Sequence, residues 1–370
     1  MRLGVPKEII NGESRVGMTE KGVKRLTELG HEVYICTGAG ENSGISDEMY
    51  QEAGGIIVNG IKNIYSLSEL IIKVNPPIGE ELNWVKEGQI VFSYILPEKN
   101  EELTRVFLRK KAIAIAYEGV TDSKGKKTLL IPMSEIAGRM AVLMGSMFLQ
   151  KVQEGKGVML GAIPGISPAE VVILGAGNAA YSAAEIALGI GCNVTIFDKS
   201  IHRLRELKSK LRKSAAYLNF TNEKLAQQLT KVDLLINTID QIGDKTKHIV
   251  TIEMIKKMQK NSVIFDVACD ENGTIETSKP TNYIKPTYVV EGIIHCAIPN
   301  LPGSVPKTST FVLTDLTLPY IEKLSEEGFK KAILNDDSLR KGLCIYDGHL
   351  LHKQAAQNFG ISYSSFEMAF

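Results

Sequence analysis

The chain has 370 residues, a length that favours two domains and is ample to bury a core without disulfide or metal staples. Its 43 Lys and Arg against 42 Asp and Glu leave a formal charge of +1, which excludes the strongly basic domain of an electrostatic nucleic-acid binder. At 44% hydrophobic and 23% charged it reads as an ordinary folded protein, and no apolar run nears the ~20 residues that cross a bilayer, so no membrane partner is expected.

In chain order, Arg2–Pro6 reads as a strand and Thr19–Leu29 as a helix with a Thr start and Gly30 as its stop. Glu32–Ile35, Gly55–Val58, Leu70–Val74, Ile90–Tyr94 and Ala112–Tyr117 follow as strands, with helical patterns at Asp47–Ala53 and Glu101–Lys110. The longest helical pattern is Ser134–Glu154, with Ser134 as N-cap and Gly155 as stop. After a glycine-rich loop a second strand series begins at Glu170 and runs through VTIFD, VDLLINTI, SVIFDVA and YVVEG. Beyond Pro306 the chain reads as helical, at Leu313–Glu326 and Phe329–Asn335, with no strand series of its own. Strands alternating with helices imply α/β architecture with parallel sheets covered on both faces. The simplest layout is discontinuous: residues 1–128 and 306–370 form one domain, and 129–305 form a nucleotide-binding domain inserted within it.

The N-terminal MRLGVPKEII places Lys7 and Glu8 where an export signal would be apolar. Five cysteines, odd in number and widely spaced, suggest buried thiols in a reducing, cytoplasmic setting rather than a disulfide framework. The six histidines form no ligand-spaced cluster, so no metal is expected.

The strongest local signal is Val171-Val-Ile-Leu-Gly175-Ala-Gly177-Asn178-Ala-Ala180, which follows a strand and opens a helix. Gly175 permits the tight turn, Gly177 lets the backbone approach a pyrophosphate, and Ala180 still allows close helix–strand packing. The helix start offers N–H groups and a positive dipole end to phosphates. Asp198 would accept from the ribose hydroxyls and repel a 2′-phosphate, which favours NAD, whereas Lys199 and Arg203 beside it are features that could serve NADP. The plainer alternative is a strand–helix turn whose glycines serve packing alone.

With these residues in view the chain resembles the alanine dehydrogenase family, which includes the NAD(H)-binding part of proton-translocating transhydrogenases. The resemblance spans essentially the whole chain. It rests on the runs GVPKE (4–8), ESRV (13–16), GAGE (38–41), Lys73-Val74, PMSEIAGR (132–139), GAIPG (161–165), the glycine motif and SVPKTST (304–310). It implies two Rossmann-like, doubly wound parallel-sheet domains with an interdomain cleft. NAD is the implied cofactor, a small carboxylate the substrate, and a hexamer or dimer the homo-oligomeric state. Position by position, it implies that Arg15 holds the substrate carboxylate and Asp270 lies beside the nicotinamide. Tyr94 and Met133 would line the pocket, and Ser134, Asp198, Ile239 and Asn300 the cofactor side.

Two positions depart from the family pattern. The family's lysine is Asn75, and its acid/base histidine is Leu96. Lys73, two residues from Asn75, could face the same way and compensate, although it matches a family position of its own. Glu118, Lys99 and Tyr94 read as surface or packing groups, and His295 as a structural histidine. A third departure is Asn237-Thr-Ile-Asp-Gln-Ile-Gly243, where the family usually carries a Pro-Gly turn. The resulting expectation is an NAD-dependent oxidoreductase moving a hydride to or from an amino, imino or keto acid, with altered substrate scope. The competing reading is a catalytically silent NAD(H)-binding protein or transhydrogenase-like module, whose characteristic loop is not matched at 119–127.

Overall fold

The structure, a computed structural model, describes residues 1–211, 214–239, 248–269, 271 and 273–370. The chain divides into two compact units, Met1–Met133 with Pro302–Phe370, and Ser134–Leu301.

The first unit contains β1 (Arg2–Val5), β2 (Glu32–Cys36), β3 (Ile56–Val58), β4 (Leu70–Ile72), β5 (Ile90–Ser93) and β6 (Ile113–Ala116). The second contains β7 (Glu170–Leu174), β8 (Asn193–Asp198), β9 (Ala216–Asn219), β10 (Leu234–Asn237), β11 (Val263–Asp266), β12 (Thr287–Val290) and β13 (Ile293–Cys296). The chain then returns to the first unit with β14 (Leu343–Tyr346) and β15 (His349–Leu350).

The sheet orders are β15-β14-β6-β5-β4-β1-β2-β3 and β12-β13-β11-β10-β7-β8-β9. In each, six strands pair in parallel, and the order reverses direction beside the first strand of the unit. This is the doubly wound α/β arrangement expected, and it opens a crevice at the carboxyl ends of β1 and β4, and another at those of β7 and β10. Strands β4, β5, β6, β10 and β11 are buried along their whole length, as parallel strands covered on both faces must be. The alternation is legible in β7, where Val171 and Ile173 join one core and Val172 and Leu174 the other.

Several expectations need correction. The C-terminal stretch is not purely helical, because β14 pairs antiparallel with β6 and β15 antiparallel with β14. The second sheet likewise ends on an antiparallel strand, β12 against β13. The long helix spans Ile131–Phe148 rather than 134–154, so Ser134 lies within its first turn and is not its cap. Pro132 is tolerated there because the first-turn amides have no partner within the helix. At the other end Gln150 is extended and Lys151–Gln153 form a separate 3-10 turn. The C-terminal helix begins at Pro306, not Leu313, again with proline in its first turn. The first helix, Glu20–Glu28, is capped as read: the Thr19 side chain accepts from the Gly22 amide.

Candidate functional site

In the first unit the chemistry gathers where β1, β4, β5 and β6 end. Glu8 follows β1, Lys73 to Asn75 follow β4, Tyr94 to Leu96 follow β5, and Glu118 follows β6. Arg15 is nearly wholly buried, and its guanidinium meets Glu13 through two contacts, Nε to Oε1 at 2.8 Å and Nη2 to Oε2 at 2.6 Å. Its Nη1 lies 3.2 Å from Met133 Sδ. Glu13 also accepts from Asn75 Nδ2 at 2.7 Å. Burial pushes the Glu13 carboxyl up, but the bonds and charge of Arg15 and the Asn75 amide outweigh it and hold the group down at about 2.

Lys73 is fully buried, with Nζ 2.6 Å from Glu81 Oε1 and 3.6 Å from Glu8 Oε2. Its ammonium is thus held between carboxylates and is not turned to the role its neighbour lacks. Glu8 accepts from the Val74 amide at 2.8 Å. Burial raises its carboxyl above the ordinary range, against the lowering effect of Lys73 and Val74. Among the described residues three carboxyls, of Glu8, Glu13 and Glu81, therefore meet two cations, Arg15 and Lys73, in this cluster. Glu8, Glu13 and Glu81 are contributors to which sequence reasoning gave no site role. The available signal was the Glu13-Ser-Arg15 spacing, which gives a buried cation a carboxylate two residues away.

Tyr94 donates its hydroxyl to the Leu129 carbonyl at 2.8 Å and packs edge-on against Tyr117. Leu96 is partly buried in a left-handed conformation, φ 47°, which a branched side chain adopts only when held. Glu118 supplies that hold: Oε1 accepts from the Leu96 amide at 2.5 Å and Oε2 from the Ile95 amide at 3.3 Å. Asn100 Nδ2 secures the carbonyls of Ile95 and Leu96 at 2.8 and 3.1 Å. Glu118 is thus a support of this turn and not an incidental surface group. Burial raises its carboxyl to about 7, with the charge of Glu98 adding to the rise, while the backbone amides oppose it.

In the second unit β7 runs into Gly175, whose φ of +101° is the left-handed conformation the tight turn requires. A Cβ there would also lie 2.6 Å from Thr238 Oγ1, which bonds to the Leu174 carbonyl. Gly177 is the extended N-cap of helix Asn178–Gly189 and gives it no side-chain cap bond. Among the described residues a Cβ on Gly177 would meet nothing within 4 Å, so they leave the backbone here open to close approach. Ala180 is fully buried against the core, while Asn178 is exposed. Helix Ile131–Phe148 crosses the same helix closely: a Cβ on Gly138 would sit 2.1 Å from the Ala179 carbonyl oxygen.

Asp198 ends β8, nearly buried, with Oδ1 fixed by the Ser200 amide at 2.7 Å. The open glycine cradle, the helix start and the oriented carboxylate at one switch point fit a dinucleotide: amides for a pyrophosphate, an acceptor for ribose hydroxyls. Beside them Ile239 donates its amide to Asn237 Oδ1 at 3.1 Å, and Asn237 Nδ2 bonds to the buried Asp266 at 2.8 Å. Ser134 is half-buried, and Asn300 is exposed with φ 57°. Asp270 and the segment from Asp240 to Gly243 lie outside the described residues.

His295 is structural in its geometry. Its Nε2 pairs with Thr277 Oγ1 at 2.8 Å, its Nδ1 with the Ile293 carbonyl at 2.9 Å, and its ring stacks on Tyr288. Burial lowers it to about 4, so it is neutral at physiological pH. Four of the five cysteines are buried and Cys269 is partly so. Among the described residues no group of three or more His, Cys, Asp or Glu side chains is placed to hold a metal ion, and no helix is long and apolar enough to cross a membrane.

Comparison with known proteins accounts for both ends of the chain. Residues 4–137 match the family description "Alanine dehydrogenase/PNT, N-terminal domain" and residues 141–353 match "Alanine dehydrogenase/PNT, C-terminal domain". An alanine dehydrogenase of Methanococcus maripaludis is 42% identical over 370 residues, covering 100% of this chain and 99% of that protein. One from Geobacillus stearothermophilus is 38% identical, with 98% of each covered. A solved L-alanine dehydrogenase superposes with a TM-score of 0.92 at 39% identity, covering 97% of this chain and 99% of its own. A transhydrogenase of Sinorhizobium meliloti, 21% identical with a TM-score of 0.81 over 95% of this chain and 100% of its own, shares the fold. The chain therefore belongs to the alanine dehydrogenase/PNT family and is an NAD-dependent dehydrogenase.

Proposed function

We propose that this dehydrogenase acts on an amino, imino or keto acid other than the alanine–pyruvate pair. The observation that carries the reading is the side chain at two positions. Asn75 stands within the carboxylate cluster and Leu96 on the turn held by Glu118, and neither carries a titratable proton or a positive charge. In this reading Arg15, with Met133 and Tyr94 beside it, receives the substrate carboxylate. Asp270 orients the polar end of the substrate or the nicotinamide. Gly175, Gly177 and Asn178 take the pyrophosphate, Ala180 keeps the helix close, and Asp198 accepts from the ribose. Ser134, Ile239 and Asn300 complete the cofactor contacts. NAD, when bound, supplies the acceptor or donor of a hydride.

Removing a general acid or base costs roughly 10²–10⁴-fold in rate, so alanine turnover should be poor. The test is NADH oxidation with pyruvate and ammonium. Turnover like that of ordinary family enzymes would end this reading. If alanine chemistry is merely masked, Asn75→Lys with Leu96→His restores it. We also propose self-association. Leu143 and Met147, one helical turn apart, and Val152 just beyond are exposed apolar side chains that a second copy would cover, which light scattering of the purified protein checks.

A further inference from the structure

The polarity of the wall at Asn75 follows from its neighbours. Glu13 is ionised, so its oxygens only accept, and Asn75 must turn Nδ2 toward the oxygen 2.7 Å away. Glu8 Oε2, at 3.5 Å, faces the same nitrogen. The planar amide then points Oδ1 away from both carboxyls. Among the described residues every hydrogen bond of the Asn75 side chain runs through Nδ2 and none reaches Oδ1, and Asn75 is partly exposed. The crevice at the carboxyl ends of β1 and β4 is thus presented with a hydrogen-bond acceptor backed by acids. The two cations of the cluster, Arg15 and Lys73, each sit 2.6 Å from a carboxylate oxygen. Leu96 adds an apolar side chain, and Glu118 directs both oxygens to backbone amides.

We infer that Asn75 reads a nitrogen: the substrate places an N–H donor against Oδ1, and its class is a cyclic imino acid that the enzyme interconverts with the saturated secondary amine. This rests on the reading that the substrate is not the alanine–pyruvate pair. Building an amine from an oxo acid and ammonia requires a proton delivered to the carbonyl oxygen and a molecule of water expelled. Neither Asn75 nor Leu96 can carry that proton. A cyclic imine arrives with its carbon–nitrogen double bond already made and, once protonated by water, carries the N–H that Oδ1 can accept. Hydride from NADH forms the new C–H bond, the π pair of the C=N bond passes to nitrogen, and NADH becomes NAD⁺. Iminium plus NADH gives amine plus NAD⁺, with nothing else consumed or released.

The experiment follows NADH consumption by the purified protein with three probes: 1-piperideine-2-carboxylate, its N-methylated iminium, and open-chain oxo acids with ammonium. The expected result is turnover of the cyclic imine, with kcat/KM about 10- to 100-fold lower for the N-methylated probe, which has lost the N–H. Asn75→Leu should lower kcat/KM for the cyclic imine by a similar factor while NADH binding, followed by fluorescence, stays unchanged. Equal turnover of the two iminium probes overturns the inference without relying on any variant. Efficient use of another open-chain oxo acid with ammonium, and none of the imine, also overturns it but leaves the broader reading standing. Efficient use of pyruvate with ammonium removes both.

Discussion

Replacing Glu118 with Gln tests the electrostatics of the turn at Leu96. In the folded protein burial raises this carboxyl from its ordinary 4.5 to about 7. A carboxyl raised on folding binds its proton more tightly in the native than in the unfolded state. Its contribution is therefore neutral at low pH, and stability falls as pH rises from about 4.5 to about 7. The displacement corresponds to about 2–3 kcal/mol lost between roughly pH 5 and pH 8. Glutamine keeps a carbonyl oxygen for the Leu96 amide but never ionises. The variant should match the parent at about pH 5 and be more stable by about 2–3 kcal/mol at about pH 8. The assay is urea unfolding at the two pH values, followed by the fluorescence of Trp84, the single tryptophan, which lies in the same unit. Parallel stability profiles for the two proteins would show that Glu118 does not feel the burial assigned to it. A variant that is weaker at high pH would show that the ionised carboxylate's bonds to Ile95 and Leu96 outweigh its desolvation.

Other outcomes follow from the same geometry. Arg15→Leu leaves the Glu13 carboxylate buried without its cation and should cost about 3–5 kcal/mol in urea unfolding. Asp198→Ala removes the acceptor at the end of β8 and should weaken NADH binding about 10- to 100-fold in a fluorescence titration, with stability little changed. Gly138→Ala forces a methyl against the Ala179 carbonyl and should cost about 1–3 kcal/mol, read from the thermal midpoint.

Much of the fold was legible because its signals are local. Thr19 before an amphipathic run marks a cap, and Gly175-Ala-Gly177 between an apolar strand and a helix marks a turn whatever surrounds it. What escaped depends on partners distant in sequence. β14 is only Leu-Cys-Ile-Tyr, too short to declare itself, and it becomes a strand because β6 offers an edge more than 200 residues away. The start of helix Ile131–Phe148 was misplaced because Ser134 resembles a cap, whereas Pro132 serves the first turn equally well. At the candidate site, the replacements at Asn75 and Leu96 were visible as letters. The burial of Lys73 between Glu8 and Glu81, and the hold of Glu118 on backbone amides, were not, since spacing says nothing about which acid a lysine will find. Spacing left compensation by Lys73 open, although its match to a family position of its own spoke against it, and the structure gives it Glu81 and Glu8 as partners.

The return of the chain to its first sheet bears on the order in which the protein can be made. Residues 134–301 form a self-contained unit and emerge from the ribosome before β14 exists. Until residues 343–346 are synthesised, β6, the wholly buried strand Ile-Ala-Ile-Ala, has a bare apolar edge. A chain stopped short of Leu343 would carry its glycine motif intact and yet present that edge to other chains. Premature termination here should therefore yield aggregates that still contain the dinucleotide fold, rather than a soluble fragment lacking only its tail.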